Sequence, residues 1–217
     1  MKNNAIIIQQ AYEPNLNHTF TDMLRLTMNR HAAYALSHKM DYLPYFGDYT
    51  DRDVMTGGWS KIKMIIDCLE KGYEYVFWID TDAAIVDFST DLRSAFTDKY
   101  IGCCEHNAKD LPKYLQIPTH LNVGVTFVKN GEGVLGFLCN WYDAFPGDSR
   151  WLEQGSFNEM AKTSNLVFKM EDKYNATVNV NMCDKPVIVG WHGIQPLSKR
   201  FGMMKNEMYN DHIKYRV

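Results

Sequence analysis

The sequence predicts an α/β fold: a mixed, mostly parallel central sheet flanked by helices. Two observations predict it. Short apolar runs of strand length alternate along the chain with stretches of helical periodicity. No apolar run approaches the roughly 18 residues of a membrane-crossing helix, so each apolar face must be buried against another part of the chain. With 217 residues, 46% of them hydrophobic, the chain is long enough for one domain with a large core and no disulfide or metal staples.

Residues 4–10 (NAIIIQQ) read as a buried first strand. Residues 20–40 place Phe20, Leu24, Met28, Ala32, Ala35 and Leu36 near helical spacing, with Thr19 or Thr21 as cap. Residues 41–46 (DYLPYF) form a second extended piece. Gly57-Gly58 opens a helix over 59–71, and Gly72 ends it. Residues 75–79 (YVFWI) make a central strand by their aromatic and β-branched content. A short strand at 84–86 and a helix at 89–96 follow, then strands at 100–104 and 121–128. Helices at 133–144 and 152–162, strands at 166–170 and 186–189, and a helical or irregular tail from Pro196 complete the chain. A sheet of this kind places ligands at the carboxyl ends of its strands.

Composition excludes several classes. The 23 basic and 26 acidic residues leave a net charge of −3, so there is no general attraction to nucleic acid. Four consecutive apolar residues after Met1-Lys2-Asn3-Asn4 are too few for a signal-peptide core. Cys68, Cys103, Cys104, Cys139 and Cys183 are scattered with no CxxC, which favours reduced thiols over a disulfide framework. The sequons at Asn17 and Asn175 are then chance matches. No GxxxxGK[ST] and no GxGxxG after the first strand argue against a Walker NTPase and a dinucleotide dehydrogenase.

The sharpest local feature is Asp80-Thr81-Asp82, directly after the central strand. Two carboxylates at the end of a buried strand need partners. They either converge on a hard cation such as Mn²⁺ or Mg²⁺, shared with substrate phosphate oxygens, or they form a turn and helix cap. The close approach to the strand, and a second short apolar strand that ends in another acid, Asp87, favour the cation.

Residues 78–87 (WIDTDAAIVD) resemble the DxD segment of GT-A glycosyltransferases, in particular the galactosyl-, mannosyl- and xylosyltransferases of the yeast and plant type. Five further segments resemble that family in order: Asn29-Arg30 with Tyr34-Ala35, Trp59-Ser60-Lys61, Leu121-Asn122-Val123-Gly124, Glu153-Gln154 after Trp151-Leu152, and His192-Gly193. The resemblance implies a single GT-A, Rossmann-like domain, with a nucleotide-binding part over about residues 1–105 and a sugar and acceptor part over about 106–217. It implies transfer of a sugar from a nucleotide diphosphate to a hydroxyl of a glycan or glycoprotein, with retention.

It also implies roles. Asp82 and His192 are metal ligands, and Asp80 binds the metal, the ribose or both. Gln154 lies near the reacting face and Glu153 holds the sugar. Arg30 falls in the family's first helix motif and is carried over to donor binding. Lys199 or Arg200 reaches the diphosphate, and Lys61 the phosphate or sugar. Gln10, Ala11 and Tyr12 receive the base. Asn122 offers its amide to sugar hydroxyls while Gly124 lets the sugar approach. Each has an ordinary alternative: a loop histidine bonded to backbone, surface lysines, a packed tyrosine, a buried asparagine beside a bulge glycine, an acid in a helix's first turn. Residues 45–54 and Met203-Met204 are candidate lid or acceptor surfaces. UDP-sugar is the favoured donor and GDP-mannose the second. With neither anchor nor stem the chain is expected to be a catalytic fragment, an enzyme of a bacterial cytosol, or a virus-encoded enzyme acting in the host cytoplasm, the last resembling chlorovirus glycosyltransferases. A non-catalytic sugar-nucleotide-binding module and a metal-dependent sugar-nucleotide phosphohydrolase are the alternatives.

Overall fold

The computed structural model describes residues 3–13, 19–50, 58–106, 119–145 and 152–214. In chain order the elements are β1 (Ala5–Ala11), α1 (Thr19–Ser37), β2 (Asp41–Phe46), α2 (Gly58–Glu70), β3 (Tyr75–Ile79), β4 (Ala83–Ile85), β5 (Ile101–His106), β6 (His120–Lys129), α3 (Val134–Asp143), α4 (Leu152–Ala161), β7 (Val167–Met170), β8 (Ala176–Thr177), β9 (Ile188–Gly190) and α5 (Leu197–Lys214). A six-stranded sheet has the order β2-β1-β3-β6-β5-β7. β1 runs parallel to β2 and β3, and β5 parallel to β7, while β6 is antiparallel to both neighbours. The sheet is therefore mixed and mostly parallel, as the alternation of elements predicts.

The strand period of two sorts the core into two layers. Ile6, Ile8, Val76 and Trp78 pack against Trp59, Ile62 and Ile65 of α2 and Leu138 and Trp141 of α3. Ala5, Ile7, Phe77 and Ile79 face the other way, onto Tyr34 and Ala35 of α1. Burial of each large apolar side chain contributes about 1.5–3 kcal/mol. β3 is sandwiched between β1 and β6, which is why a strand of purely apolar residues suits it and why polar residues begin abruptly at its end.

Three expectations need correction. The buried stripe of α1 is Met23, Leu24, Thr27, His31, Tyr34 and Ala35, while Ala32 is exposed and Leu36 is 80% exposed. Polar residues displace apolar ones there because their hydrogen bonds close internally. Thr27 Oγ1 donates to the Met23 carbonyl, His31 Nδ1 pairs with Gln9 Oε1 at 2.6 Å, and His31 Nε2 accepts from the Ile85 amide at 3.1 Å. The helix expected over 89–96 is a single 3-10 turn, Leu92–Ala95, capped by Asp91. Asp87 binds Ser89 and Thr90 locally, which holds the preceding residues out of a helix. The late strand sits at Ile188–Gly190 and joins β4 and β8 in a separate three-stranded sheet, β4-β9-β8.

All five cysteines are free, with Cys68, Cys103 and Cys104 buried. No helix among the described residues is long and apolar enough to cross a membrane.

The enclosed His31 has a pH signature. Burial, then the nearby Arg30 charge, pushes its pKa down from 6.5 to about 3. The unfolded chain therefore binds the proton first, so His31 favours the fold fully above pH 6.5 and this stabilisation is lost as pH falls toward 3. His31→Gln keeps a donor and an acceptor but cannot titrate. Between pH 7 and pH 5 the wild type is expected to lose about 2 kcal/mol more stability than this variant, read from urea unfolding midpoints.

Candidate active site

The end of β3 turns at once. The Asp80 amide donates to the Gly124 carbonyl at 2.8 Å, and the Ala83 amide donates back to the Asp80 carbonyl at 3.0 Å. This turn leaves Asp80 part-exposed and buries Asp82. β4 then pairs antiparallel with β9, setting Ala83 opposite Gly190. The Trp191 amide donates to the Asp82 carbonyl at 2.8 Å, so the same pairing delivers the next residue, His192, to the turn. His192 Nδ1 lies 2.8 Å from Asp82 Oδ1, and one ligand atom each from Asp80, Asp82 and His192 lie within 4.8 Å of one another.

These three side chains fit a divalent cation. Asp82 Oδ1 is buried and makes no hydrogen bond among the described residues, although His192 Nδ1 is so near. Two carboxylates and an imidazole suit Mn²⁺, with Mg²⁺ the harder alternative. Burial pushes the Asp82 carboxyl up, but the charges of His192 and Arg200 outweigh it and hold the group well below the usual carboxylate range. Burial likewise pulls His192 down, and the Asp82 charge outweighs that and raises it.

His192 is oriented from behind. Its Nε2 donates to Asn175 Oδ1 at 3.0 Å, which makes Nδ1 the ring nitrogen that faces the carboxylates. Asn175 is fully buried, and its Nδ2 donates to Asn122 Oδ1 at 3.1 Å, which also accepts the Gly124 amide at 2.9 Å. Gly124 sits between the ligands. A Cβ there would meet His192 Cε1 at 2.8 Å and Asp80 Oδ2 at 2.9 Å. Gly124→Ala is expected to weaken Mn²⁺ binding at least tenfold while leaving the melting temperature within a few degrees, checked by isothermal titration and thermal unfolding.

Cations and a third acid surround the pair. Arg200 Nη1 lies 2.8 Å from Asp82 Oδ2, held by Nε donating to the Ile194 carbonyl. Lys61 Nζ lies 3.7 Å from Asp80 Oδ1 and 3.4 Å from Glu153 Oε1, and donates to the Val123 carbonyl. Burial opposes the Lys61 charge, yet Asp80 and Glu153 outweigh it and hold the ammonium pKa above its ordinary value. Trp78 Nε1 donates to Asp80 Oδ1 at 2.6 Å. Gln10, Tyr12, Lys61, Trp78, Asp80, Asp82, Glu153 and Arg200 line one cavity of about 160 Å³.

The remaining candidates fall around this centre or away from it. Gln10 Nε2 donates to the Gly47 carbonyl at 2.7 Å, and buried Ala11 accepts the Gly47 amide, so both fix the loop after β2 beside Tyr12. Gln154 Oε1 accepts the Val123 amide at 3.1 Å. Glu153 and Gln154 follow Leu152, whose φ of 48° turns the chain sharply into α4. Asn122 spends its Oδ1 on protein donors. Arg30 does not reach the centre. Its guanidinium donates to the Ile85 and Val86 carbonyls and lies over the Phe88 ring. Lys199 is exposed and lines a neighbouring cavity, whereas Arg200 one residue on enters the centre. Met204 is buried against Met23 and Trp191, and Met203 is partly buried in the same cluster. Asn17, residues 51–54, Gly57 and Trp151 lie outside the described residues.

Asn175 was visible in sequence only as a sequon, and its amide is enclosed and hydrogen-bonded, which withholds it from glycosylation in the folded chain. The available signal was a polar residue in the apolar-alternating stretch 174–180 (YNATVNV).

No family model matches the sequence, and no curated protein matches it. Solved structures share the fold. A glycosyltransferase involved in glycosylation of the major capsid of PBCV-1 aligns over 93% of this chain and 99% of its own, with TM-score 0.69 and 15% identity. The bifunctional glycosyltransferase WbbM aligns over 97% of this chain and 52% of its own, with TM-score 0.56 and 12% identity. Mouse xyloside xylosyltransferase 1 aligns over 88% of this chain and 99% of its own, with TM-score 0.54 and 10% identity. The chain has a glycosyltransferase fold.

Proposed function

We propose that this chain is a divalent-metal-dependent glycosyltransferase that moves a sugar from a nucleoside-diphosphate sugar, UDP-linked by preference, to a hydroxyl of a glycan or glycoprotein. One observation carries the reading: the Asp80, Asp82 and His192 ligand atoms converge within 4.8 Å at the carboxyl end of β3, where a sheet of this kind binds nucleotides. Asp80, Asp82 and His192 would hold the metal, which when bound supplies Lewis-acid neutralisation of a diphosphate leaving group.

The protein's own residues account for the rest. Tyr12 offers a ring to the base and Gln10 keeps the adjacent loop in place. Arg200 and Lys61 bring two positive charges to the cavity where the diphosphate's charge develops. Glu153 accepts sugar hydroxyls, and its pairing with Lys61 fixes its carboxylate. Gln154, anchored to the Val123 amide, borders the reacting face. As the bond from the sugar's anomeric carbon to the phosphate oxygen breaks, the acceptor oxygen bonds to the same face, and its proton passes to the departing phosphate oxygen. Transfer then retains the anomeric configuration.

The test is calorimetry with UDP- and GDP-sugars, with and without Mn²⁺. Donor binding with Kd in the micromolar range that disappears on adding chelator is expected. Binding unaffected by chelator overturns the metal-dependent reading.

A further inference from the structure

A second cavity, of about 470 Å³, opens beside the metal-ligand cluster and shares no lining residue with the first. The two meet where His192 touches Asp82. Adjacent residues of the chain divide between them: Glu153 lines the first cavity and Gln154 the second, Arg200 the first and Lys199 the second. Charge divides in the same way. Asp80, Asp82 and Glu153 all line the first cavity, and among the described residues no carboxylate lines the second.

The second cavity offers groups that match sugar hydroxyls, the side-chain amides of Asn122 and Gln154 and the imidazole of His120, with His106 and Thr177 buried in its wall. Val178, Val180 and Ile194 add an apolar surface suited to the C–H face of a sugar ring. Thr177 Oγ1 pairs with His106 Nε2 at 3.1 Å, so these groups are already set in place by one another. At the rim stands Lys199, whose ammonium has no ion-pair partner among the described residues. With no carboxylate among its described lining residues, this cavity does not repel an anion.

We propose that this second cavity is the acceptor subsite and that it takes a glycan carrying an anionic group, with Lys199 as the residue that selects for the charge. Calling the ligand an acceptor rests on the glycosyl-transfer reading; its chemical class rests on the cavity's own lining. A sugar carboxylate and a sugar phosphate present the same charge to Lys199, so both are tested.

The experiment titrates the full chain, in Mg²⁺ and saturating UDP, with three ligands of one linkage: an α-1,4-trigalacturonate, the neutral α-1,4-galactotriose and its 6-phosphate. Binding is followed through the imidazole proton resonances of His106 and His120. At least one anionic ligand is expected to bind about fivefold tighter than the neutral one, to shift both imidazoles and to leave UDP bound. Lys199→Gln is expected to bring that ligand within twofold of galactotriose. Preference for trigalacturonate alone, or for the phosphate alone without loss of UDP, identifies the source of the anion. Equal binding of all three to the wild type, or displacement of UDP by the anionic ligands, overturns the proposal. If UDP and Mg²⁺ fail to bind while an anionic glycan still shifts the imidazoles, the glycosyl-transfer reading fails and the cavity's ligand class stands.

Discussion

Asp82→Asn is expected to lower sugar transfer by about 10³-fold, equivalent to about 4 kcal/mol of transition-state stabilisation, and to lower Mn²⁺ affinity by at least two orders of magnitude. The side chain keeps its shape, so the loss follows from charge. Asp82 is the most enclosed acid of the cluster, its Oδ1 lies 2.8 Å from His192 Nδ1, and its Oδ2 holds Arg200. Neutralising it leaves the Arg200 guanidinium buried without a counter-charge, which destabilises the fold as well. A companion variant, Asp82→Asn with Arg200→Gln, removes both charges and is expected to recover stability without recovering metal binding. Transfer that survives in the companion variant would count against the metal role of Asp82. The raised pKa of His192 adds a pH dependence with a definite sign. Protons and metal compete for Nδ1, so apparent Mn²⁺ affinity in the wild type is expected to fall as pH is lowered through that pKa. In Asp82→Asn the larger of the two acidic charges that raise it is gone, leaving Asp80, and the remaining pH dependence moves to lower pH.

Much of this centre is legible in the sequence because its first half is local. Asp80 and Asp82 stand two residues apart at the end of an apolar strand, and the chemistry of two acids in that place is readable without coordinates. The boundaries of β2 and β3 are legible too: the aromatic and β-branched residues of β3 match a pleated, buried environment, and β2 is a part-exposed edge strand. The second half is not local. His192 reaches Asp82 through β4 and β9, each three residues long, and no periodicity can be read from three residues. Arg200 and Asp82 are 118 positions apart, and only the packing of α5 brings them together. Within α1 the error was of a different kind. Thr27 and His31 look like surface residues by type, and only the internal partners of their hydrogen bonds reconcile them with burial.

Asn175 is the residue on which this distinction bears most directly, and its variants separate orientation from architecture. It accepts from His192 Nε2 and donates to Asn122 Oδ1, so it ties His192 to the strand that carries Gly124. Asn175→Ala removes both contacts. Mn²⁺ affinity is expected to fall about 10- to 100-fold as either ring nitrogen becomes free to carry the proton. Leaving the enclosed partners unmatched should also cost about 1–3 kcal/mol of stability. Asn175→Asp keeps an acceptor for Nε2–H but loses the donor to Asn122, so it is expected to be destabilised while holding Mn²⁺ within a fewfold of wild type or tighter. Nitrogen-15 shifts of the His192 ring, read above its raised pKa, report the tautomer directly: Nε2–H in the wild type and Asn175→Asp, a mixture in Asn175→Ala. If the two variants lose metal affinity in proportion to their lost stability, Asn175 is a packing residue and the histidine is oriented by something else. If affinity follows the tautomer instead, this buried amide fixes which nitrogen of His192 faces the cation.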